Sequence, residues 1–258
     1  MNRSLKFDLN STPIDQNMFN NDNFKKTGLS VVRNFYSPSE ITSFQNQFEL
    51  NFNDELNNRN LDKANSVNVK FPEDNNLNAI YQNNKFKKLA MDIYGNNVAV
   101  FNKRYVIKDH NNTEPVMLHQ DSCYHMGFLN KSSVFIPLTE VNEENGGMYF
   151  YLGTHQYGYL GDAGEIDLNA FENDHIFYQP SLEPGDVLVM NSSIWHGSSS
   201  SKNGKKRILC DIIIQDSSDP TGEELLCGEW NVDFRLNKNN LTSYFRNSRI
   251  LKLKKAGY

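Results

Sequence analysis

Between Val98 and Ile214 the chain is a succession of short apolar runs cut by turn residues, and that texture restricts the fold more than any other feature. Val98–Ile107, Val116–Asp121, Ser133–Leu138, Gly147–Leu152, Asp186–Met190 and Arg207–Ile214 all read as strands. Asp109–Asn112, Glu143–Gly147, Glu183-Pro184-Gly185 and Lys202-Asn203-Gly204 are the turn signals between them. Upstream the period is helical. Ser37-Pro38-Ser39-Glu40 forms a capping box with Pro at the first helical position, and Ile41, Phe44 and Phe48 follow on one stripe. A second helix is expected from Asn76 to Tyr94, with Leu77, Ile80, Tyr81, Leu89, Ala90 and Ile93 on its buried face and Gly95-Asn96-Asn97 closing it. Many short strands after a helical layer imply an α+β, mainly β fold: a sandwich or jelly roll with N-terminal helices packed on one side.

The domain reading follows from the same pattern. Residues 1–26 are a polar N-terminal arm, and 27–258 form a single domain with a β core of about 98–215 and a C-terminal extension, 216–258. Thr154–Pro180 fits no element and is rich in Gly, Tyr and Phe, which suits a functional loop or lid. The net charge of −5 and a pI near 5.7 give no footprint for nucleic acid. Three cysteines, odd in number and without a CxxC, suit a reducing, cytoplasmic setting. No stretch has the apolar length of a signal peptide or a membrane span.

His119-Gln120-Asp121 is the candidate chemical centre. Residues two apart on a strand face the same way, so an imidazole and a carboxylate emerge together, two-thirds of a facial site for non-haem iron. With six histidines and 31 acidic residues in 258, chance alone supplies about 0.7 such pairs, so the company it keeps decides its weight. His196, in Ser193-Ile194-Trp195-His196-Gly197-Ser198, falls at the end of the Asp186–Met190 strand. Arg207 opens the next strand, expected as the antiparallel neighbour of the His196 strand. A charge in so apolar a run needs a partner, either a bound dicarboxylate or an internal acid such as Asp211.

The order HQDxxY (His119 to Tyr124), Asn145-Gly146-Gly147, Gly153-Thr154-His155, Pro184-Gly185-Asp186, Trp195-His196-Gly197-Ser198 and Arg207 resembles the phytanoyl-CoA dioxygenase family over roughly Gly28 to Gln215. That resemblance implies a double-stranded β-helix, a distorted, cupin-like jelly roll. It implies Fe(2+) held by His119, Asp121 and His196, and 2-oxoglutarate and O2 as cosubstrates, with ascorbate as a reductant. Arg207 would take the distal carboxylate of 2-oxoglutarate with help from Ser198. Tyr105, if it faces inward, and Phe135 would line the same pocket. The implied reaction is hydroxylation of an unactivated C–H of a small-molecule substrate with release of succinate and CO2, in a monomer or homodimer that contacts neither nucleic acid nor membrane. His155 is open between a place near the site and a structural hydrogen bond, His125 is a candidate pocket residue, and His110 and His175 read as loop residues. The competing reading is a non-catalytic metal- or ligand-binding jelly-roll module, which would not need Arg207.

Overall fold

The alternating β texture is realised as two sheets. The computed structural model describes residues 8–57, 68–70, 75–128, 130–161, 171, 176–236 and 255. In chain order the strands are β1 (Asp15–Gln16), β2 (Leu29–Val32), β3 (Asn68–Lys70), β4 (Val98–Lys108), β5 (Val116–His119), β6 (Lys131–Pro137), β7 (Met148–Tyr151), β8 (Phe177–Tyr178), β9 (Val187–Asn191), β10 (His196–Ser198), β11 (Arg207–Asp216) and β12 (Glu224–Cys227). The helices are α1 (Asn21–Thr27), α2 (Pro38–Asn57) and α3 (Asn84–Tyr94). The large sheet runs β1-β2-β9-β6-β11-β4-β12 with β3 also on β4, and the small sheet runs β5-β10-β7-β8. This is the expected fold: mainly β, jelly-roll, with the N-terminal helices on one side.

The large sheet is buried on both faces. Its outer face meets the helices, where Phe44, Phe48 and Phe52 of α2 and Phe86 and Leu89 of α3 join Tyr105, Ile107, Ile136, Val189, Cys210 and Ile212 in one core. Phe48 and Phe52 are essentially fully buried, so truncating either to Ala costs about 3–5 kcal/mol. Its inner face meets the small sheet through Phe135, Leu188, Met190 and Leu209 against Met148, Phe150 and Leu152. Burial on both faces removes the polar-apolar alternation from β4, β6 and β11, and with it any face assignment from sequence.

The elements depart from expectation in four places. Regular structure begins inside the expected N-terminal arm: Asn20 caps α1 by accepting from the Asn23 amide, Phe24 is buried, and β1 adds in parallel to β2. The second helix is split into a 3-10 segment, Asn75–Ile80, and α3, because the Asn83 side chain accepts from the Phe86 amide and restarts the helix. β5 stops at His119, two residues short. The extension after Asp216 is tied into the sheet by β12, which pairs with β4. A buried Lys131–Asp219 ion pair also holds it, with the Thr221 hydroxyl donating to Asp219 at 2.6 Å. Residues 162–170 and 172–175 of the expected lid, which include His175, and 237–254 of the extension lie outside the described residues.

Candidate metal centre

Three short stretches of chain bring the donors together. Gln120, after β5, stays extended (φ −111°, ψ 130°) before a 3-10 turn at Asp121–Cys123. His119 and Asp121 therefore still share a side although the strand has ended. β10 pairs antiparallel with β5 so that His196 stands opposite His119, their ring centroids 4.3 Å apart. His119 Nε2 is 3.5 Å from Asp121 Oδ1, and His196 Nε2 is 3.9 Å from Asp121 Oδ2. One ligating atom from each residue lies within 4.8 Å of the other two, a set that can hold a single metal ion.

The surroundings fix those atoms. His119 Nδ1 donates to the Met117 carbonyl at 2.7 Å and His196 Nδ1 to the Ile194 carbonyl at 3.0 Å. In both rings this leaves the Nε2 lone pair free to ligate. The His196 ring also stacks on Phe150, centroids 6.0 Å apart and planes within 18°. Gln120 is fully buried: its Nε2 donates to the carbonyls of Ser193 and Gly158, and its Oε1 accepts from the Leu160 amide. It thus sutures the HxD segment to the chain leading into His196. Gly197 must be small, because a Cβ there would stand 2.8 Å from the Val116 carbonyl and collide with the Tyr149 hydroxyl.

Electrostatics favour the ligating forms. Burial opposes ionisation of Asp121, but the surrounding imidazoles of His119, His196 and His125 and the charge of Arg104 hold its carboxyl well below the usual range. Burial and neighbouring His119 lower His196 to about 4, so its imidazole is neutral at physiological pH. Arg104 closes one side of the centre, its Nη2 3.9 Å from Asp121 Oδ2 and its Nε donating to Asp211 Oδ2 at 2.7 Å. Burial raises Asp211 to about 6 despite that partner.

Arg207 lies across the interior. It is on β11 of the large sheet, paired with β4 and not with β10 as expected, because residues 199–206 carry the chain from one sheet to the other. It is 1 % exposed. Its Nη1 donates to the Gly146 carbonyl, while its Nε has no partner among the described residues. Asp211 does not pair with it: the register sets Asp211 opposite Arg104. Burial alone lowers the Arg207 pKa to about 10. The Ser198 hydroxyl, on the same alternation of β10 as His196, is likewise buried and unpartnered.

The remaining expected residues divide. Phe135 belongs to the inner core beside Leu209 and Leu188, the face that carries Arg207. Tyr105 is corrected. It packs edge-on against Phe48 and Phe52 at 4.8 and 5.0 Å in the helix-facing core, because alternation along β4 sends Arg104 inward and Tyr105 outward. His155 is structural, its Nε2 donating to the Lys25 carbonyl at 3.0 Å with the ring against Gly28. His125 meets the Phe101 ring at 5.0 Å. The structure adds Gln120 and Arg104. Gln120 stood in the motif without a stated task, and nothing in the local pattern of β4 marks Arg104 as the inward residue.

Comparison with known proteins agrees with this geometry. A family model, phytanoyl-CoA dioxygenase, matches residues 24–209. Among solved structures, EctD from S. alaskensis with 2-oxoglutarate and 5-hydroxyectoine is 15% identical, covers 91% of this chain and 89% of its own, and gives a TM-score of 0.67. The non-heme alpha ketoglutarate dependent carbocyclase SnoK from nogalamycin biosynthesis is 18% identical over 78% of this chain and 85% of its own, with a TM-score of 0.63. The non-heme monooxygenase ThoJ in its Ni complex is 15% identical over 91% and 97%, also at 0.63. At those identities the structures report a shared fold, whereas the family model covers most of the chain. The chain belongs to the phytanoyl-CoA dioxygenase family of iron- and 2-oxoglutarate-dependent oxygenases.

Proposed function

We propose that this oxygenase hydroxylates an unactivated C–H of a small polar metabolite, with 2-oxoglutarate as cosubstrate and succinate and CO2 as coproducts. The observation that carries the cosubstrate half of this reading is Arg207. It is a guanidinium buried to 1 %, with no carboxylate in pairing distance among the described residues and an unpartnered Nε. A protein keeps such a charge where a ligand completes it, and a planar carboxylate fits the guanidinium fork. The unpartnered Ser198 hydroxyl supplies a second donor for that carboxylate.

Iron(II) bound at His119, Asp121 and His196 would supply the oxygen-activating chemistry, the three protein ligands leaving positions for the 2-oxo acid and dioxygen. The protein's own work is positioning. The two Nδ1–H bonds hold both imidazoles ready to ligate, and Gln120 holds the spacing between HxD and His196. Arg104 approaches the Asp121 oxygen that faces it and steadies the carboxylate's rotation. Asp121 in the acidic-ligand place supports hydroxylation. The Arg104–Asp211 pair makes the wall beside the metal polar, which supports a polar substrate. No disulfide joins Cys123, Cys210 and Cys227 to one another, which suits a reducing, cytoplasmic setting.

Anaerobic Fe(II) with 2-oxoglutarate is expected to give a visible charge-transfer band that His119→Ala abolishes. Absence of the band in the wild type, or its survival in His119→Ala, overturns the assignment. Succinate release stimulated by individual members of a metabolite panel then identifies the substrate.

A further inference from the structure

Arg207 is not the only buried cation in its corner of the barrel. Lys108 is its direct cross-strand partner, at the end of β4. The two side chains therefore rise from the same face of the sheet, about 5 Å apart at their Cα atoms. Lys108 is 0 % exposed and Arg207 1 %. Gly146, at φ +84°, lies across both. Its carbonyl accepts from Arg207, and a Cβ at Gly146 would stand 2.8 Å from Lys108 Cδ and 3.1 Å from Lys108 Nζ. Lys108 Nζ donates to the carbonyls of Glu114 at 2.8 Å and Ser199 at 2.6 Å, two of its three protons. Neither cation forms an ion pair with a carboxylate among the described residues. Elsewhere the same chain pairs the buried Lys131 with Asp219 and the half-buried Arg104 with the buried Asp211. Two adjacent buried positive charges without an acid are a site for an anion.

We propose that Lys108 and Arg207 together receive the distal carboxylate of the 2-oxo acid, Arg207 by its fork and Lys108 by its third proton and its charge. This rests on the cosubstrate assignment above and adds to it a residue and a consequence. Burial, together with the charge of Arg207, lowers Lys108 to about 7, with only Glu114 acting the other way. The other charged groups of the surrounding loops are Asp109 and His110, next along the chain, the exposed Lys205 and Lys206 before Arg207, and Glu143, Glu144 and Lys202, which pair with one another at the surface. A carboxylate arriving beside Lys108 favours its charged form, so binding draws a proton onto it. Above pH 7 the affinity then weakens by up to about tenfold per pH unit, until the raised pKa of the complex is passed.

The test compares 2-oxoglutarate with 2-oxobutanoate, which keeps the metal-binding end and lacks the distal carboxylate. Both are titrated anaerobically into the Fe(II)-loaded protein, by the charge-transfer band and by calorimetry in buffers of different ionisation enthalpy. At pH 8 the wild type is expected to take up nearly one more proton with 2-oxoglutarate than with 2-oxobutanoate. Lys108→Gln, which keeps two N–H donors but no charge, is expected to lose that uptake and to bind 2-oxoglutarate about 10- to 100-fold more weakly while 2-oxobutanoate is unchanged. Equal weakening of both acids, or none, makes Lys108 a tie between two loops and overturns the proposal while the cosubstrate assignment stands. Should the variant not fold, the wild-type proton count decides alone, equal uptake with the two acids being the refuting result. A wild type with no preference for 2-oxoglutarate and no band overturns the cosubstrate assignment, and this proposal with it.

Discussion

If Arg207 is held for a ligand, the protein without cosubstrate should be more stable when the charge is removed. Keeping the guanidinium charged at a place where burial lowers its pKa to about 10 costs about 3 kcal/mol. Arg207→Met fills similar volume without that cost, and gives up one hydrogen bond to the Gly146 carbonyl, a loss of about 1–2 kcal/mol. The balance is a gain of about 1–2 kcal/mol, or a rise of about 2–8 °C in melting temperature for a domain of this size. The same change removes the carboxylate's principal partner, so 2-oxoglutarate affinity should fall by at least about 30-fold while iron binding is retained. Differential scanning fluorimetry without cosubstrate and anaerobic 2-oxoglutarate titrations read the two effects separately. A variant that melts several degrees lower and binds 2-oxoglutarate with wild-type affinity would make Arg207 a structural residue and refute the reasoning.

Tyr105→Phe should leave 2-oxoglutarate affinity unchanged, because the ring packs among Phe48 and Phe52 on the far side of β4; an affinity loss of tenfold in the same titration would return Tyr105 to the pocket. Lys131→Met strands a buried carboxylate at Asp219 and should cost about 3–5 kcal/mol in urea unfolding, the loss shrinking when Asp219→Asn is added. Without cosubstrate, the Lys108 pKa, lowered from 10.5 to about 7, makes charging this lysine oppose folding below pH 7. Its contribution should therefore make the protein more stable as pH rises from about 7 to 10, the opposite direction to cosubstrate affinity; thermal melts of wild type and Lys108→Gln across that range isolate it.

The linear chain determined the parts of this protein that depend on local chemistry. The capping box at Ser37 starts α2 where expected, with the Ser37 amide donating to Glu40 at 2.8 Å. Turn residues separate the strands because Gly, Asn and Asp accept the conformations that hairpins require. The spacing of HxD put His119 and Asp121 on one side because one extended residue lies between them, whether or not the strand continues. Tertiary structure decided everything that depends on which face of a strand is inward. β4 is buried on both sides, so its pattern could not tell Arg104 from Tyr105; only the pairing of Asp211 with Arg104 and of Arg207 with Lys108 did so. The crossing of residues 199–206 between sheets moved Arg207 from beside His196 to across from it. Hydrogen bonding across the interior likewise gave Gln120 its task. A residue's type states what it can bind, but its register against a strand some hundred residues away states where it will be found.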